Sequence, residues 1–106
     1  MAAGDVTIHR VLGRGDMAGH RVVYGQVQLD GSNPTPVVLA SYMARIDGAI
    51  ATLMTGAIPE DGLMGVTVGV SGTTLNIYAW GTNGTDPTPT GSTDNTGIVS
   101  FVAWGR

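Results

Sequence analysis

The side chains able to carry acid–base or nucleophilic chemistry are few: two histidines, five arginines and eight carboxylates, with no lysine and no cysteine. A catalytic site gathers groups whose proton affinities can be set apart within one pocket. His9 and His20 each stand next to an arginine, Arg10 and Arg21, which discourages a second cation in the same place, so both read as surface or strand-edge residues. Glu60 and Asp61 adjoin each other after Pro59; neighbours on an extended chain point apart, and the pair reads as a solvated turn. Asp86 and Asp94 lie among hydroxyl residues that could offer oxygens to calcium, but without the spacing of a calcium loop. Leu12-Gly13-Arg14-Gly15-Asp16 lacks the third glycine and the strand-then-helix setting of a dinucleotide site. Its Arg14-Gly15-Asp16 coincides with an integrin-recognition tripeptide, yet reads as a flexible turn or arm. No catalytic, metal-binding or cofactor-binding residue is expected, and the chain reads as non-enzymatic.

The aromatic residues are more informative. Tyr24, Tyr42, Tyr78, Trp80, Phe101 and Trp104 exceed what one small sheet with a single covered face needs, and a ring on a strand face either completes a core or anchors an interface. Some are therefore expected to be buried only in an assembly, with Tyr78, Trp80 and Trp104 the candidates. Composition agrees. Charged residues make up 12% of the chain, about half the usual ~25%, and a net charge of −3 adds little long-range repulsion between copies. Five scattered arginines form no basic stripe, so nucleic acid is not an expected partner. The absence of an apolar run of membrane-spanning length or a signal-type segment at Met1 to Leu12 predicts a soluble protein made in the cytoplasm with no membrane partner. Asn83-Gly84-Thr85 reads as a turn.

The elements that must position these residues are mostly strands. His20 to Leu29 alternates, with Val23, Gly25, Val27 and Leu29 on one side and Val22, Tyr24, Gln26 and Gln28 on the other. The segment Asp30 to Pro36 is predicted as a loop, because its two prolines oppose a regular ladder. A hairpin is predicted between Gly65 and Trp80: Val66, Val68 and Val70 alternate on one strand and Leu75, Ile77 and Ala79 on the next, with the turn at Ser71-Gly72. On its second strand Asn76, Tyr78 and Trp80 share the opposite face. Gly81 to Gly97 holds no apolar residue and reads as one extended loop. Ile98 to Trp104 is apolar on both faces and is expected to be central or covered.

Residues 39 to 54 are ambiguous, since Leu39, Tyr42, Met43, Ile46, Ile50, Leu53 and Met54 recur at helical spacing. Gly48 argues against a long helix, so the preferred reading is a helical turn near Ser41 to Ala44 followed by a strand from Ile46 to Thr55. Val6 to Leu12 is the weakest strand candidate. The expectation is an all-β chain with at most one short helical turn, a small antiparallel β-sandwich or barrel over residues 20–106, and residues 1–19 as a flexible N-terminal arm or weak first strand.

The run Tyr24-Gly25-Gln26-Val27-Gln28-Leu29-Asp30-Gly31-Ser32 with Pro34-Thr35, then Arg45-Ile46-Asp47, the Leu75 to Trp80 strand and the closing Val99 to Gly105 strand resemble small bacteriophage head decoration, or cement, proteins. That resemblance spans residues 20–106 and rests on a pattern of strands, turn and closing glycine rather than on an invariant signature. It implies a virion protein on the outside of the capsid, often a homotrimer, clamping major capsid protein subunits. The first nineteen residues would then be an arm that orders on docking, with Arg10, Arg14 and Asp16 making its polar contacts. Two alternatives fit the same sequence. One is a phage tail or fibre-attachment domain; the other, of a different class, is a carbohydrate-binding module stacking sugars on Tyr78, Trp80 and Trp104 beside Asn76 and Asp86.

Overall fold

A computed structural model describes residues 2–13, 20–54, 63–81, 90–92 and 96–106. The described elements are eight β-strands: β1 (Val6–Leu12), β2 (Arg21–Gln28), β3 (Thr35–Val38), β4 (Ile46–Leu53), β5 (Leu63–Ser71), β6 (Thr74–Gly81), β7 (Thr90–Gly91) and β8 (Ile98–Gly105). They form two antiparallel sheets. The larger has the order β1-β2-β8-β4, and the smaller has the order β3-β6-β5 with β7 added to β6. The chain is all-β, a small antiparallel sandwich.

Alternation builds the core. The inward residues Val23 and Val27 of β2, and Val99, Phe101 and Ala103 of β8, face Val37 of β3 and Leu75, Ile77 and Ala79 of β6, and all are buried. Because the side-chain period of a strand is two, each of these residues leaves its neighbours on the outer face. The last strand is indeed central: β8 pairs along its whole length with β2 on one side and β4 on the other. Phe101 is the largest buried side chain and fills the middle of the space between the sheets.

The turn and strand preferred for residues 39–54 are both present. The Tyr42 and Met43 amides donate to the Leu39 carbonyl, which makes a single helical turn, and β4 follows. Leu39 and Met43 recur at helical spacing because the turn between them buries both in the core, while Ile50 points outward; the apparent helical period of the whole segment joins residues with different burial reasons. Of the two readings for the N-terminal segment, Val6–Leu12 is a strand, laddered against β2 with an irregularity at His9.

The predicted loops need correction at two places. Residues Thr35–Val38, of which Thr35 and Pro36 fell in the expected loop, form β3 despite Pro36. An edge strand tolerates proline where its missing N–H faces away from the ladder. The expected loop from Gly81 to Gly97 is interrupted by β7, which pairs Gly91 with Trp80 and Thr90 with Gly81. A two-residue strand carries no apolar period for sequence patterning to detect.

The hairpin of β5 and β6 closes through Gly72 and Thr73, one residue later than the sequence suggests, with Gly72 at φ +61°. That left-handed conformation is the one a tight hairpin turn demands and glycine accepts readily. Register irregularities fall in β1, β4 and β5, each a sheet edge, where a bulge raises twist and blunts further pairing.

Candidate interaction surface

The outer face of the larger sheet is laid out in cross-strand rows. Leu12, Val22, Trp104 and Gly48 make the first row, and Arg10, Tyr24, Val102 and Ile50 the second. The third holds Thr7, Gln26, Ser100 and Thr52; the fourth holds Gln28, Ile98 and, just past the end of β4, Met54. Residues directly opposite on neighbouring strands touch, so each row is a continuous strip of side chains. Exposure along these strips is high for apolar groups: Ile50 is 62% exposed, Met54 51% and Trp104 40%, and Leu12, Tyr24 and Val102 are also exposed. Scattered apolar residues are ordinary on a protein surface, but a contiguous field of them is not.

Two local devices shape this face. A Cβ on Gly48 would fall 2.4 Å from Trp104 Cζ2, which means that the indole lies flat across the glycine instead of standing off the sheet. At the β1 edge the His9 and Tyr24 rings are 6.2 Å apart. Beside the Ile50–Val102 ridge, over Thr52 and Ser100, lies a shallow hollow of about 230 Å³ walled by those four residues and Ala51. Arg10 is the formally charged residue in the rows, and it sits on the edge strand.

The outer face of the smaller sheet carries the other aromatic pair. Tyr78 and Trp80 alternate outward on β6, with ring centroids 6.4 Å apart and planes inclined by 25°. The Trp80 indole N–H donates to Thr67 Oγ1 at 2.8 Å. Trp80 is exposed and Tyr78 half-buried, beside Asn76. The candidate residues therefore divide: Trp104 and Arg10 belong to one face, Tyr78 and Trp80 to the opposite one. Arg14 and Asp16 lie outside the described residues, as do Glu60, Asp61, Asn83, Asp86 and Asp94.

One residue with a structural role escaped the sequence reading. Asn33 accepts a hydrogen bond from the Ala79 amide through Oδ1 and donates one to the Ala79 carbonyl through Nδ2, both at 2.8 Å. Since β3 pairs Thr35 with Ile77, Ala79 is the next residue of β6 that would pair in the same direction, and the side-chain amide takes the place of a backbone partner there. The Ser92 amide also donates to the Ala79 carbonyl, so Asn33 splices β3 to β7 along one edge of β6. Nearby, Asp30 accepts from the Ser32 amide and from the fully buried Thr35 hydroxyl, which fixes the turn before β3.

Titratable groups are spread out. Arg45 and Asp47 form a two-pronged exposed ion pair, Nε to Oδ1 at 2.7 Å and Nη2 to Oδ2 at 3.2 Å. The hydrogen bond from Arg45 holds the Asp47 carboxyl below its ordinary range. Arg21 donates to the Tyr42 carbonyl and borders two shallow depressions at that end of the sandwich. Among the described residues, no three of His, Asp and Glu converge as metal ligands would. No described helix is long and apolar enough to cross a membrane. No family model, curated protein or solved structure matches the chain.

Proposed function

We propose that this chain is a structural subunit of a bacteriophage virion, a decoration or cement protein on the outside of the head, and that the outer face of its β1-β2-β8-β4 sheet is a surface buried in assembly. The observation that carries the reading is that face: two adjacent rows, and a further one beyond a polar row, expose apolar side chains on an antiparallel sheet. Covering exposed Ile50, Met54, Trp104, Val102 and Leu12 removes apolar area from water at roughly 25 cal/mol per Å². Arg10 sits at the rim of this face, on the edge strand. The sequence resemblance supplies the virion setting.

The mechanism is mechanical. Each copy bridges capsid subunits that would otherwise separate independently, and symmetry repeats the contact over the shell, so modest sites sum to a large resistance to bursting. A homo-oligomer suits such a bridge. The test is electron microscopy and thermal challenge of particles lacking the protein: fragile or leaky heads are expected, whereas normal heads with defective tails would move the chain to the tail.

A second reading has its own observation. The Tyr78 and Trp80 rings, inclined by only 25° beside Asn76, resemble the stacking platform of a carbohydrate-binding module. Saturable glycan-array binding lost in Trp80→Ala would favour it over assembly.

A further inference from the structure

We propose that the outer face of the larger sheet seats a second copy of this chain around a two-fold axis that crosses the strands between the second and third rows. The inference rests on the reading of that face as an interface and adds what covers it. Its basis is that the face is complementary to itself. Rotation about that axis places the Ile50–Val102 ridge of one copy over the Thr52–Ser100 hollow of the other, and the reverse contact follows by symmetry. The same operation sets Trp104 over the partner copy's Ile98 and Met54, an apolar ring on an apolar side chain and a thioether. It sets Tyr24 over Gln26, which gives the phenol a polar neighbour instead of a buried void.

Size agrees. Four strands about 4.8 Å apart, one seven and three eight residues long, at about 3.3 Å per residue span roughly 500 Å² of sheet. Two such faces enclose about 1,000 Å² before side-chain relief is added, which reaches the lower bound for a specific interface. Within the rows the formal charge is Arg10 on β1, and the two-fold axis sets each Arg10 over the third row of the other copy, where Thr7 and Gln26 stand. A self-complementary patch of this kind closes as a pair. A trimer would need a different, head-to-tail surface.

The test uses the full chain, whose lack of cysteine makes single-cysteine cross-linking clean. Light scattering across a concentration series should give twice the chain mass, and Ile50→Asp or Val102→Asp, both at exposed positions, should return it to one chain mass with an unchanged circular dichroism spectrum. Ser100→Cys should cross-link as a dimer with a short bismaleimide, while Ser71→Cys on the other sheet should not. A monomer at every concentration, or an oligomer that the two aspartates leave intact, overturns the pairing. Co-sedimentation of Ile50→Asp with assembled capsid shells separates this failure from that of the function: a monomeric wild type that binds shells through this face defeats the pairing and keeps the virion role, and one that ignores shells defeats both.

Discussion

Replacing Asn33 tests whether a side-chain amide holds two strands to a third. In Asn33→Ala both hydrogen bonds to Ala79 vanish. The Ala79 carbonyl keeps its bond from Ser92, but the Ala79 N–H, on a residue that is 1% exposed, loses its acceptor. Net hydrogen-bond contributions of ~0.5–1.5 kcal/mol each, plus ~1–3 kcal/mol for a buried orphan donor, set the scale, with water reaching the site from the exposed side of Asn33 and reducing the second figure. A loss of about 2 kcal/mol is expected, which for a chain near 100 residues lowers Tm by roughly 8–16 °C. Asn33→Asp is the sharper variant. Its carboxylate still accepts from the Ala79 amide, but the other oxygen now faces the Ala79 carbonyl, so the folded-state pKa of the introduced carboxyl is raised. A raised folded pKa contributes stability below the unfolded value, where the protonated carboxyl donates as the amide did, and that contribution disappears as pH rises through the folded pKa. Urea unfolding as a function of pH, with hydrogen exchange at the Ala79 amide, reads both variants. An Asn33→Ala protein within ~0.5 kcal/mol of wild type, or an Asn33→Asp deficit that ignores pH between about 3 and 7, would refute the splice.

Other consequences follow from single contacts. Gly91→Ala places a Cβ 2.7 Å from Asn33 Nδ2, so it should slow β7 docking and raise Ala79 exchange without touching the core. Phe101→Ala empties the centre of the sandwich and should cost about 4 kcal/mol in equilibrium unfolding; a cost below ~1.5 kcal/mol would mean that the sheets close over the gap. Gly48→Val lifts the Trp104 ring off the sheet, and in a Trp80→Phe background the remaining indole emission should shift to longer wavelength. Asp47 titrates below the ordinary carboxylate range because Arg45 donates to it, so its contribution is present above that range and fades as pH falls through its folded pKa. Arg45→Met should return the Asp47 NMR titration upward with only a small fall in Tm at neutral pH, since the pair is exposed.

The parts legible in the sequence were those with a two-residue period. Val23 and Val27, Leu75, Ile77 and Ala79, and Val99, Phe101 and Ala103 announce their strands and their inward faces, because one face of a pleated strand must leave water; in the β5 valine row Val66 and Val68 pack partly against the core while Val70 is exposed. Sandwich architecture follows from several such strands joined by turn-forming residues. Periodicity does not say which strands lie beside one another. That β8 stands between β2 and β4, so that Trp104 crosses Gly48 and Val102 meets Ile50, is a matter of pairing between residues more than fifty positions apart. Trp104 and the Tyr78–Trp80 pair therefore looked like one aromatic set and occupy opposite faces. Asn33 was invisible for the same reason: a polar residue before a proline reads as a turn, and its partnership with Ala79 exists only once β3 and β6 are side by side. Local alternation chose the strands and their buried sides; loop closure and long-range pairing, which no local pattern encodes, chose the neighbours and thereby composed the surface.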